Sequence, residues 1–293
     1  MSLLRSIRAI RGTQSRSSRL GSRFLSTRPV AMHTRAWVWP TVALGLGVAA
    51  WMTTSPLVLE APMDRMVTET KSSLPMHAYL QADETSINTH GKPLRLVGMG
   101  VRTVTFLNMY VYVAGLYVEE DALPAAQAQC KMGEVPLEEQ VRSWLESGVT
   151  CAIRVVPVRA TDLNHLRDGF VRTINTRAKD ARTPENVYQM TDEAEEMLAH
   201  NLRDFKGLFP RSKISRGQTL DLIVQRDASS MYMLSLQING KEVGTVKSGP
   251  TARQGLPTFT LPSALLLAYF GERPDISAVF RASVQAHLQA TLP

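Results

Sequence analysis

Apolar and polar positions change period several times along this 293-residue chain, and each change marks an element. The stretches 94–107 and 109–119 are rich in β-branched residues, aromatics and glycine, the composition of two adjacent strands. A short helix is expected near Leu137 to Glu146 and a strand across Cys151 to Val158. Thr161 and Asp162 then form a cap for a helix in which Leu163, Leu166, Phe170 and Ile174 make one apolar stripe, with Arg167, Arg172 and Arg177 turned away. From Pro184 to Lys206 apolar residues recur at spacings of three and four, which predicts a second helix. Thr219 to Gln225 and Tyr232 to Ile238 alternate as half-buried strands, and Asn239-Gly240 is a two-residue hairpin turn into Glu242 to Lys247. Leu261 to Phe270 and Ile276 to Leu288 read as closing helices separated by Gly271 and Pro274. Strands gathered into hairpins and segregated from helices predict an α+β domain built on an antiparallel sheet.

Upstream the pattern is different. Residues 1–35 carry eight arginines and no acid, and Leu3, Ile7 and Ile10 line one side of a helix whose other side holds Arg5 and Arg8. That is the pattern of a mitochondrial presequence, with an arginine-rich tail as the plainer alternative. Residues 36–59 carry no charge and include Trp37, Trp39 and Trp51 around a run of Val, Ala, Leu and Gly. Val38 to Met52 alone would span about 22 Å as a helix, and extension toward Leu59 reaches the length of a bilayer core. This predicts a transmembrane helix and an inner-membrane anchor; a hydrophobic tail of the presequence is the alternative, since Pro40 and Pro56 bound the best helical stretch. Residues 60–86 mix proline, serine and charge without a lasting period, as a tether would. The domain proper is expected over 87–293.

The formal charge of +7 suggests nucleic acid until it is located. With eight of the 33 basic residues before residue 36, the other 25 face 26 acidic residues, so the body is near neutral and a nucleic-acid partner is not expected. The six histidines show no pair at metal spacing, and Cys130 and Cys151 read as two thiols, with a disulfide as the lesser alternative, so no metal site is expected. Gly98-Met99-Gly100 lacks the third glycine and the helix start of a nucleotide-binding loop; glycines within a strand mark a bulge or a close backbone approach.

Arg102 is the residue that demands chemistry. On a period of two it shares a face with Leu94, Leu96, Val104 and Phe106, and a guanidinium cannot shed its proton. An unpaired buried charge costs roughly several kcal/mol, so either a protein carboxylate or an acidic ligand should meet it. If residues 107–109 form a three-residue loop, Arg102 pairs with Ala114 and Val104 with Tyr112, which makes Arg102 and Tyr112 diagonal neighbours on one face. A two-residue loop would turn Tyr112 away.

The stretch GMGVRTVTFLNMYVYVAGLYVEED, residues 98–121, resembles the chalcone isomerase fold family at the segment that identifies it: a glycine-rich strand carrying GVR, a short connection, and a strand ending VAGLYVE. A looser similarity runs from about Ile87 to Leu288 and ends in SALLLAYFGERPDISAVFRASV, where the family shows helix, glycine and helix. The resemblance implies an open-faced antiparallel sheet packed with helices, and places Arg102 facing a ligand cleft. In the plant isomerases the arginine and nearby hydroxyl groups stabilise an enolate. Where those enzymes have threonine in the second strand this chain has Tyr112, and where they have serine or threonine before the last glycine it has Ala268. In fatty-acid-binding members an arginine and a tyrosine hold the ligand carboxylate, and Arg102 and Tyr112 match that pair. The expected protein is therefore a mitochondrial, membrane-anchored member of this family that binds an apolar carboxylate, a fatty acid or a haem propionate, without turning it over. An active intramolecular lyase on a phenolic or enone substrate, and a structural inner-membrane protein with a vestigial cleft, are the alternatives.

Overall fold

Register decides the architecture. A computed structural model describes residues 65–81, 91–104, 109–131, 135–183, 190–250, 252–253, 256–271 and 276–290. The presequence and membrane segment expected over 1–59 lie outside the described residues, among which no helix is long and apolar enough to cross a membrane.

In chain order the elements are β1 (Met66–Thr68), β2 (Pro75–His77), β3 (Tyr79–Leu80), β4 (Leu94–Val104), β5 (Met109–Glu119), α1 (Leu123–Lys131), α2 (Leu137–Glu146), β6 (Cys151–Pro157), β7 (Thr161–Asp162), α3 (Leu163–Asp180), α4 (Asp192–Gly207), β8 (Lys213–Ile214), β9 (Leu220–Arg226), β10 (Met231–Ile238), β11 (Lys241–Pro250), β12 (Ala252–Arg253), β13 (Leu256–Pro257), α5 (Leu261–Leu267) and α6 (Ala278–Gln289). Seven strands form one antiparallel sheet in the order β11-β10-β9-β6-β5-β4-β3. The α+β expectation holds. The β10–β11 turn is Asn239-Gly240 with φ of 52° and 73°, the left-handed pair that a two-residue hairpin requires.

One face of the sheet meets the helices through Ala114, Leu116, Ile153, Leu222 and Leu234, packed with Phe170, Phe205, Leu265, Phe280 and Val284. The other face carries Val113, Tyr117, Ala152 and Ile223 and is covered by Leu74, Met76 and Leu80. Those last three come from residues 65–81, which the sequence reads as part of a tether. They contribute β1, β2 and β3 instead, because every second residue near Leu74 is apolar and buries against the sheet. The second helix starts at Asp192, capped by the Thr191 hydroxyl accepting from the Ala194 N–H, later than the periodicity suggests. Its expected first residues, 184–189, lie outside the described set.

A bulge at Val97 corrects the predicted face of Arg102. Leu96 lies opposite Tyr117 and Gly98 opposite Leu116, so two residues of β4 face one step of β5 and the alternation flips. Leu94 and Leu96 therefore point to the face covered by Met76, whereas Gly98, Gly100 and Arg102 lie on the helix-covered side. The two glycines are there because α6 lies directly on them: a Cβ on Gly98 would sit 2.6 Å from the Val284 backbone nitrogen, and one on Gly100 would sit 2.4 Å from that of Phe280. Strand β3 pairs only with Leu94 and Arg95, and farther along α6 meets the outer edge of β4. The Ser283 hydroxyl accepts from the Met99 N–H at 3.2 Å, and the Ser277 hydroxyl donates to the Val101 carbonyl at 2.8 Å.

Candidate functional site

Arg102 and Tyr112 face one another directly. The register pairs Arg102 with Tyr112 and Gly100 with Ala114, one step from the diagonal arrangement inferred from a three-residue loop. A second irregularity between Arg102 and Thr103 sets Thr103 opposite Tyr110 and Val104 opposite Met109; the connecting residues 105–108 lie outside the described set. The shared face survives the change of register because a two-residue shift restores the side-chain period.

Arg102 Nη1 donates to the Tyr112 hydroxyl at 3.0 Å, and the guanidinium carbon lies 5.4 Å from the centre of the Tyr112 ring. Tyr112, 1% exposed, is linked in turn to the hydroxyl of Tyr269 at 3.2 Å. Tyr269 sits in the turn that closes α5, where the Tyr269 N–H reaches the Leu266 carbonyl, and its ring packs edge-on against Phe280. Burial, together with the neighbouring Tyr112, pushes the Tyr269 phenol well above its ordinary pKa, so it stays neutral. Contact with Tyr112 outweighs desolvation and moves the Arg102 guanidinium further up. Arg102 makes no salt bridge with any described residue. If Tyr269 donates to Tyr112, the Tyr112 proton is free to join Arg102 in binding an anion.

This chain of groups opens into a cleft of about 550 Å³ between the β4–β5 pair, the start of α3 and the β7–β8 ladder. Apolar lining comes from Val104, Val111, Leu166 and Phe170, and polar lining from Arg102, Tyr112, Asp162 and His165 among others. The volume is in the range of small-molecule sites, roughly 300–1,000 Å³. Asp162 caps α3, and the N–H of Asn164 holds its carboxyl below the usual range. Ala268 is buried in the core and brings no hydroxyl to the cleft. Tyr269, one residue on, was missed by the sequence reading; its only signal is a phenol beside Gly271 at the end of an otherwise apolar run.

A second strand arginine was also missed. Arg154 on β6 donates through Nε to Asp221 Oδ1 at 2.7 Å and through Nη2 to Oδ2 at 3.1 Å, with the two side chains 3% and 0% exposed. This pair lies on the face away from the cleft, beneath Tyr117. Burial disfavours the Arg154 charge, and Asp221 together with Tyr117 more than offsets it. Burial likewise pushes the thiol of Cys151 up, so it is a packed, unreactive group, and among the described residues no cluster could hold a metal ion.

An antiparallel sheet with helices on one face, a small hairpin on the other, and an arginine–tyrosine pair at the wall of an open cleft defines an α+β domain of the open-faced type. The chain belongs to the chalcone isomerase-like family, whose profile, described as chalcone isomerase like, matches residues 92–140 and 135–285. Among curated relatives, "Altered inheritance of mitochondria protein 18, mitochondrial" of Debaryomyces hansenii is 27% identical over 188 residues, 58% of this chain and 60% of that protein. The protein of the same name in Eremothecium gossypii is 26% identical over 220 residues, 67% of this chain and 65% of that one. The chain thus spans about three-fifths of the length of the curated relatives it matches. Among solved structures, a fatty-acid binding protein of Arabidopsis thaliana has the same fold, with a TM-score of 0.52 at 20% identity, covering 76% of this chain and 98% of that one.

Proposed function

We propose that this protein is a mitochondrial, non-catalytic member of the family that holds the carboxylate of an apolar ligand, a fatty acid or haem, at Arg102 and Tyr112. The observation that carries the reading is the environment of Arg102: a half-buried guanidinium at the wall of an open cleft, bonded to a phenol and to no carboxylate among the described residues. A permanently charged donor fork and a phenol converging on one cleft suit a single carboxylate. The Arabidopsis protein of the same fold is a fatty-acid binding protein, which supports a fatty acid, and the fungal relatives are named as mitochondrial proteins, which supports mitochondria. Tyr112 and Ala268 stand where the plant isomerases carry hydroxyl-bearing serine or threonine, which argues against turnover. Haem would present two propionates to the same cleft, whose lining includes one imidazole, that of His165.

Affinity for a long-chain fatty acid is expected to fall in the order wild type, Arg102→Lys, Arg102→Ala, by about tenfold or more for Ala, because Lys keeps the charge and loses the planar fork. In the ligand-free protein Arg102→Ala should shift stability by less than about 1 kcal/mol, since Tyr112 keeps Tyr269 as a partner and no carboxylate is stranded. Calorimetric titration and urea denaturation measure the two. A large loss of stability with unchanged affinity would overturn the reading, as would turnover of a 2′-hydroxychalcone; a shifted Soret band on titration would select haem.

The N-terminal part of the reading has its own test. Removing residues 1–35 should abolish uptake by isolated mitochondria, because all the excess positive charge lies there. The remaining hydrophobic segment 36–59 is proposed as an inner-membrane anchor, for which resistance of the imported protein to carbonate extraction is expected.

A further inference from the structure

The cleft around Arg102 carries more positive charge than a single carboxylate needs. Arg159 follows β6 directly, where the Val158 N–H bonds the Val111 carbonyl, and its guanidinium lies 3.7 Å from the Met109 sulfur. Arg172 lies on the stripe of α3 that also carries His165 and Gly169, and Lys213 stands opposite Asp162 in the β7–β8 ladder. All three line the same cleft as Arg102. The lining includes one carboxylate, Asp162, whose Oδ1 is engaged by both nitrogens of Asn164. Arg159, Arg172 and Lys213 are exposed and make no salt bridge with any described residue. Apart from His165, four positive groups face one negative group.

We propose that the cleft takes a phosphate head group in preference to a carboxylate, so that a phosphorylated acyl or alkyl chain binds more tightly than the free fatty acid. This rests on the reading that the cleft holds the anionic head of an apolar molecule at Arg102. A phosphomonoester carries −1.5 to −2 at neutral pH and three acceptor oxygens, which matches several converging donors better than one carboxylate does. Arg102 and Tyr112 take the inner oxygen; Arg159, Arg172 and Lys213 surround the outer ones. Exposed cations are individually weak partners, but cations lining one concave surface focus their field on a multivalent anion.

The test compares two soluble ten-carbon probes, decanoate and decyl phosphate, titrated into the full-length protein, its Arg102→Ala variant and an Arg172→Ser/Lys213→Ser double variant. Decyl phosphate should bind at least about tenfold more tightly than decanoate and weaken more steeply with salt. The double variant should remove most of that preference while changing decanoate affinity by less than about threefold; an unchanged urea midpoint would show the fold intact. Glycerol 3-phosphate, with no chain, should bind at least about tenfold more weakly than decyl phosphate. Comparing 1-decanoylglycerol 3-phosphate with decanoyl-CoA then identifies a lipid or a nucleotide thioester as the source of the phosphate. Equal affinity for the two ten-carbon probes, or equal weakening of both by the double variant, would overturn the phosphate assignment alone. Absence of binding by either probe, or indifference of both to Arg102→Ala, would overturn the cleft reading beneath it.

Discussion

Asp221→Ala is expected to destabilise the domain by about 3 to 5 kcal/mol, the range for breaking a buried ion pair from one side. Asp221 is fully buried and accepts two hydrogen bonds from Arg154, which is itself buried with its guanidinium carbon 5.8 Å from the centre of the Tyr117 ring. Removing the carboxylate leaves a buried guanidinium that cannot deprotonate and has lost its counter-charge. Replacing both partners together, as Arg154→Met with Asp221→Leu, should recover most of the loss, because desolvation of the pair offsets much of its attraction. The check is a urea midpoint measured at constant slope for the single and double variants. A loss under about 1 kcal/mol in Asp221→Ala would mean that the pair is solvated in the folded protein.

Gly100→Ala is expected to cost about 3 kcal/mol, near the upper end for overpacking a tight core. The added carbon would lie 2.4 Å from the Phe280 nitrogen and 2.6 Å from its Cα, atoms of a helix backbone that cannot rotate aside. Helix α6 must therefore lift, straining the Ser277 bond to Val101 and the contact of Phe280 with Tyr269. Gly207→Ala is the control. Gly207 closes α4, nothing lies within 4 Å of an added Cβ, and the change should be neutral or stabilising by up to about 1 kcal/mol. Thermal and urea unfolding of the two alanine variants give the comparison. Equal stabilities would refute the close approach.

Local signals carried much of the fold. The Asp162 cap and its stripe fix α3, Asn239-Gly240 fixes the β10–β11 turn, and the apolar run before Gly271 fixes α5. Each is written in consecutive residues. The bulge at Val97 is not, because one extra residue in an apolar strand changes no composition and yet reverses every face after it. For that reason Leu94 and Leu96 were wrongly placed on the face of Arg102, whereas Val104, which lines the same cleft, and Tyr112 share it, Tyr112 as a direct partner and not as a diagonal one. The same criterion, an arginine among apolar strand residues, applies equally to Arg102 and Arg154. Only the structure separates them, since the partner of Arg154 comes from a strand 67 residues away and that of Arg102 is a phenol ten residues away. Tyr269 was hidden for a similar reason: it joins Tyr112 across 157 residues, a distance that no local pattern encodes.

The serines of α6 have a consequence for the order in which the chain can become safe from its neighbours. An open strand edge is a template for pairing with any other extended segment, and this one is sealed by the hydroxyl groups of Ser277 and Ser283, which lie 176 and 184 residues along the chain from the strand residues they bond. A growing chain emerges N-terminal end first, so β4 and β5 are made well before their cover and wait for it. Glycines at 98 and 100 add to the exposure, because the strand they keep bare for the helix is equally bare to a stranger. Helix α6 is thus a closing seal as well as a wall of the core, and until it docks the edge of β4 stays open to pairing.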